Sequence, residues 1–234
     1  MEAHAVLPSL ADELEAELID RARTRMRSAL AGRDGILALG FASVFLTAAI
    51  CAAVMLPPVR AFSPLVALVA LVVLALVSSV EFEVGNGFVH AAELVLVPML
   101  FVLPPRVVPL VVAAAFLVRH LPSLVRGKLQ PSHLPVALFN ASYALGPAVV
   151  IALAGDAPAG WSRLPLYAAA LAAQFAGDFV VGGAWSRFAW RVPWREHAQS
   201  MRISLFIDGS LAPVGLTVAI ATGDSAWGLL AALP

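Results

Sequence analysis

Glu81, Glu83, His90 and Glu93 fall within one short stretch of an otherwise apolar region, with Asn86 set between Gly85 and Gly87. Carboxylates and an imidazole are costly to keep in such surroundings, which makes them candidates for receiving a ligand or a signal. Residues 81–88 read Glu-Phe-Glu-Val-Gly-Asn-Gly-Phe. The alternation closing on a turn signal predicts a short extended loop that leads into a helix beginning near Val89. His90 and Glu93, three apart, would then share one helical face, a spacing suited to a metal or a cationic solute. Two groups do not fill a coordination sphere and no zinc-protease His-Glu-x-x-His is present, so no metal is assigned. Gly85 and Gly87 lack the third glycine of a dinucleotide fingerprint.

A second set of polar residues is spread over three later apolar segments. Gln174 and Asp178 are four apart on one face, beside a row of small residues, Ala169, Ala173 and Gly177, that permits close helix contact. Asp208 is followed by Gly209, Ser210 and Pro213, and Asn140 by Ser142 and Tyr143. Together these residues would line a central polar pocket; the other reading is a structural hydrogen-bond network between helices. Arg187, Arg202 or a snorkelling arginine is expected to neutralise Asp208 near the cytoplasmic side. A phosphate loop, a Gly-x-Ser-x-Gly elbow and paired metal-binding cysteines are all missing, so no catalytic residue and no cofactor are assigned to this chain.

The elements that must position these residues follow from composition. Of 234 residues 61% are hydrophobic and 13% charged, against about 45–50% and about 25% in a soluble domain. An ordinary soluble enzyme, a disordered chain and a disulfide scaffold are excluded. The formal net charge is zero, so no overall field favours nucleic acid. The single cysteine, Cys51, cannot form an internal disulfide and reads as a packing residue. A bilayer core of about 30 Å needs roughly 20 apolar residues. Residues 36–56, 62–80, 89–103, 107–124, 134–154, 164–185 and 203–222 meet or approach that length, and residues 225–234 begin another run. The expectation is an all-α polytopic transmembrane bundle of seven complete spans plus part of an eighth, with the third and fourth spans allowed to form a re-entrant pair.

Residues 1–34 form a separate lead. Leu10, Leu14, Leu18, Ala22, Met26 and Leu30 recur every four residues, acids precede arginines, and Pro8-Ser9 with Asp12 reads as a helix start. This predicts a cytoplasmic amphipathic helix at the membrane surface, before a bundle over 35–234. Arginines and the lysine cluster in the lead, between spans four and five (Arg119, Arg126, Lys128) and between spans six and seven (Arg187, Arg191, Arg195, Arg202). All of these share one side if the N-terminus is cytoplasmic, leaving Arg60, Arg106 and Arg163 outside. Trp185, Trp190 and Trp194 are expected at headgroup level.

The motifs 81–87, 94–105, Tyr143-Ala144-Leu145-Gly146-Pro147, 173–179 and 208–216, in that order, resemble the N-terminal membrane domain of actinobacterial cyclic-di-GMP signalling proteins. The resemblance implies a multi-span sensor in the bacterial plasma membrane, ahead of a cytoplasmic HD-GYP-type phosphohydrolase or GGDEF diguanylate cyclase. It carries no catalytic residue into this chain. The run at 225–234 is expected to continue into such an output domain. The sequence reading is therefore a sensory input module, acting as a homodimer in the lipid bilayer. Its unidentified small-molecule or membrane signal would be felt by Glu81, Glu83, His90, Glu93, Asn140, Gln174, Asp178 and Asp208. The alternative is a solute-binding or transport protein resembling the substrate-binding subunit of a vitamin transporter.

Overall fold

The computed structural model describes residues 30 and 32–231, apart from 85, 86, 157, 224 and 226. The amphipathic lead expected over 1–34 lies almost wholly outside the described residues. The rest is a helical bundle with one small hairpin. In chain order the elements are α1 (Arg33–Met55), α2 (Pro64–Val77), β1 (Glu81–Val84), β2 (Gly87–His90), α3 (Glu93–Val102), α4 (Val108–Val125), α5 (Leu134–Phe139), α6 (Leu145–Leu153), α7 (Leu164–Ala189), α8 (Trp194–Thr222) and α9 (Trp227–Leu230).

Among the described residues, five helical runs are long and apolar enough to cross a membrane: Arg33–Met55, Pro105–Val125, Pro131–Leu153, Trp161–Ala189 and Trp194–Thr222. Their outward surfaces are those of a membrane protein. Val44 is 72% and Phe206 77% exposed, a cost in water that a lipid environment removes. The buried stripe of α1 is mostly alanine (Ala38, Ala42, Ala49, Ala52), with Phe45 the one large side chain in it. Small residues there let the backbone approach α5 and α4 closely. Cys51 lies on the exposed face of α1 rather than in the core.

The second and third hydrophobic runs are shorter as helices than their sequence suggests. α2 has 14 residues and α3 has 10, about 21 Å and about 15 Å at 1.5 Å per residue. Neither alone matches a core of about 30 Å. The segment between them supplies the reason. Residues 81–90 form an antiparallel hairpin in the register Glu81↔His90, Phe82↔Val89, Glu83↔Phe88 and Val84↔Gly87. The expected extended loop is thus a paired ladder, and it holds Val89 and His90 in strand geometry. Helix α3 cannot begin before Glu93, so His90 and Glu93 do not share a helical face as the spacing predicted. The short pair is α2 and α3, not the third and fourth runs, since the fourth forms the full-length α4.

Two sets of contacts fix which ends lie together. Arg60 binds Asp156 at 3.1 Å and donates to the Leu100 carbonyl at 2.8 Å, joining the α1–α2 link, the α6–α7 link and the end of α3. At the opposite end the Leu30 N–H donates to Ser132 Oγ at 2.9 Å, and within the bundle, nearly two turns before the end of α4, Arg119 donates to the Ser78 carbonyl at 2.7 Å. That second bond satisfies a carbonyl left over where α2 stops. Trp185 packs in an aromatic cluster, tilted against Phe139 (5.0 Å between centroids) and edge to face with Phe41 (5.8 Å). It is a core residue, not the interfacial one expected, whereas Trp190 and Trp194 are exposed.

Candidate functional site: a polar-floored cavity between α3, α6, α7 and α8

Three proline-dependent interruptions shape the site. The Pro131–Leu153 run tightens to a 3₁₀ turn over Asn140–Ala144 between α5 and α6. Pro147 has no N–H to give the Tyr143 carbonyl four residues earlier, and its ring crowds that carbonyl. The tightened turn sits where the regular bond is lost. Pro213 in α8 likewise leaves the Gly209 carbonyl without its helical donor, beside Asp208. Pro98 in α3 does the same to Leu94. Gly146 then lets α6 lie directly on α7, since a Cβ there would stand 2.5 Å from the Ala173 backbone. Gly215 lets α8 lie on the first turn of α3, since a Cβ would stand 2.8 Å from the Glu93 carbonyl oxygen.

These close approaches bring Glu93 and Gln174 together. Gln174 Nε2 donates to Glu93 Oε1 at 2.8 Å, 81 residues apart in sequence. Glu93 is 2% and Gln174 4% exposed. The second carboxylate oxygen, Glu93 Oε2, is buried without a hydrogen-bond partner among the described residues. An unsatisfied buried acceptor costs about 1–3 kcal/mol, more when charged, so its retention calls for an explanation.

A cavity of about 310 Å³ opens above this pair, at the lower end of the ~300–1,000 Å³ typical of small-molecule sites. Its walls are Val97 and Leu100 of α3, Ile151 of α6, Leu171 of α7 and Leu216 of α8. Phe101 and Tyr167 also line it and meet edge to face at 5.6 Å. The Tyr167 hydroxyl is already engaged, accepting from the Gly160 N–H at 2.9 Å. Trp161 and Leu164, both about half exposed, stand at the mouth near the Arg60 end. Glu93 and Gln174 are the buried polar pair on its lining, and the Tyr167 O–H and the Trp161 indole N–H are the other polar groups of the wall.

Beneath the floor lie further ionisable groups. Asp178 is one turn beyond Gln174 in α7, and Asp208 is about 10 Å before Gly215 along α8. Both lie near enough for their charge to be felt at Glu93, and each is also felt at the Tyr143 hydroxyl. That hydroxyl is buried with no hydrogen-bond partner among the described residues. The charged neighbour of Asp208 is Asp178, not Arg187 or Arg202, which point outward and are exposed. Arg119 acts on Tyr143, and His197 on Asp178. His197 Nδ1 lies 3.4 Å from Ser186 Oγ, while its Nε2 is buried and unpartnered among the described residues.

Of the expected site residues, Glu93, Gln174, Asp178 and Asp208 converge here. Asn140 does not: its side chain is exposed on the far face of the 3₁₀ turn. Glu81, Glu83 and His90 belong to the hairpin strands. Among the described residues no group of three or more metal-ligating side chains is assembled. His197 and Arg119 went unrecognised in sequence; each sits near a helix end rich in other basic residues, which hid it among topology-setting charges. No family model, no curated protein and no solved structure matches the chain.

Proposed function

We propose that the chain is a membrane-embedded sensory input module whose signal is a small molecule received in the cavity above Glu93 and Gln174. The observation that carries this reading is the cavity's construction: apolar walls from four helices, and a single buried polar pair with one acceptor left open. Two of those helices are interrupted beside the floor, and α8 leads from it toward the chain's last segment. A ligand that fits one packing of α3 against α8 better than another shifts the balance between them. The shift is passed to a cytoplasmic domain beyond α9, for which cyclic-di-GMP turnover is the reading that the sequence resemblance favours. The module acts as a homodimer in the bacterial plasma membrane with its N-terminus cytoplasmic. In this arrangement α2, the hairpin and α3 form a re-entrant pair from the outer side, which leaves the side of every other loop unchanged.

A second reading, a solute-binding or transport protein, draws on one specific feature. α3 begins in mid-bundle and the Pro131–Leu153 run breaks in mid-bundle, and transporters place binding sites at such discontinuous helices. The gene downstream of codon 234 separates the two. An in-frame soluble signalling domain, with its output changed by Ile151→Trp in the cavity wall, supports the sensor. A stop codon, or an output indifferent to the blocked cavity, overturns it in favour of solute uptake.

A further inference from the structure

We propose that the cavity takes a monocationic amphiphile: a primary ammonium group held by Glu93 Oε2, with a compact apolar or aryl body lying along Phe101 and Leu216. The proposal rests on the reading of this cavity as a ligand site and names the ligand's chemistry.

Three observations meet in it. Glu93 Oε2 is a buried acceptor with no partner among the described residues, in a side chain that lines the cavity. An ammonium group offers three donors and no acceptor, so it satisfies such an oxygen where a carboxylate could not. Secondly, carboxyl groups crowd the floor. Glu93 feels Asp178 and Asp208, while Arg119 acts on Tyr143 and His197 on Asp178, and Arg60, over the Phe101 ring at 5.9 Å, is engaged by Asp156 and the Leu100 carbonyl. An anion placed on Glu93 would meet three carboxyl groups. Thirdly, the remaining wall is aliphatic and aromatic, and the Tyr167 hydroxyl is occupied by the Gly160 N–H. An apolar or aryl body matches most of that wall. Between Glu93 and Phe101 α3 advances about 12 Å, which fits one ring and a short alkyl tether.

The test uses the full chain in lipid nanodiscs and three matched probes: phenylpropylammonium, phenylpropanol and phenylpropionate. Binding is read by calorimetry against empty nanodiscs. The expected result is that the ammonium binds about tenfold or more tighter than the alcohol and that the carboxylate does not bind. Glu93→Gln brings the ammonium down to the alcohol's affinity, and Ile151→Trp removes both. An alcohol that binds as well as the ammonium, or a carboxylate that binds at all, overturns the cationic ligand while leaving the cavity a ligand site. Failure of all three probes overturns the ligand-site reading itself. The comparison among probes on the unmodified protein decides the matter even if Glu93→Gln does not fold.

Discussion

Gln174 Nε2 donates a 2.8 Å hydrogen bond to Glu93 Oε1, tying the first turn of a short helix to the middle of a long one. The bond crosses from α3 to α7, and both partners are buried. Its geometry depends on two glycines, three prolines and the hairpin that ends just before Glu93.

Removing one partner is expected to cost more than changing its charge. Gln174→Leu leaves both Glu93 oxygens without a donor and should destabilise the fold by about 1–3 kcal/mol. Glu93→Gln keeps an acceptor opposite Gln174 and removes a charge, so it should cost less. Thermal unfolding of the three proteins in the same nanodiscs checks the order. A Gln174→Leu protein as stable as the parent would show that the bond is not made.

The α3–α8 approach predicts a steric effect. Gly215→Val places side-chain atoms where the Glu93 carbonyl and Val97 already stand, since even a Cβ would lie 2.8 Å and 3.1 Å from them. The two helices must separate, at about 1–3 kcal/mol or more. Gly40→Val, on the exposed face of α1 where a Cβ meets nothing within 4 Å, serves as control and should be close to neutral. Equal effects at the two sites would contradict the packing.

At the Arg60 end the two partners are predicted to behave unequally. Asp156 is 62% exposed, so Asp156→Ala should cost about 0–1 kcal/mol. Arg60 is 11% exposed and also donates to the Leu100 carbonyl at 2.8 Å. Arg60→Ala should therefore cost clearly more, about 1–3 kcal/mol, because it orphans a backbone acceptor as well. Denaturation midpoints for the two single variants and the double variant give the answer. A double variant no worse than Arg60→Ala supports the assignment, and an Asp156→Ala effect as large as that of Arg60→Ala argues against it.

Much of this arrangement could be read from residue types, and some of it could not. Glu93, Gln174, Asp178 and Asp208 were legible as a group because polar side chains are expensive inside apolar helices. Their convergence from three helices was a fair inference; the specific Glu93–Gln174 bond was not, because spacing along a chain does not determine which helices touch. His90 was misplaced for a local reason. An apolar run marks where helix is allowed, but cross-strand pairing of Glu81 with His90 overrides it up to Ala91. Asn140 joined the polar group by residue type alone, and type does not show that the 3₁₀ turn leaves it exposed. Pro147 carried that information, since it releases the carbonyl four residues before it. Trp185 looked interfacial beside arginines, yet Phe41 and Phe139 claim it for the core.

The central claim is that a cavity reachable from the Arg60 end of the bundle closes on Glu93 and Gln174. Ala170, buried on its lining, is replaced by cysteine in a Cys51→Ala background, and the folded protein is treated with a small aminoethyl methanethiosulfonate. The account predicts labelling of the native state, slowed strongly when Ile151→Trp fills the cavity. A cysteine that reacts only after unfolding, or at the same rate with the cavity filled, would contradict it.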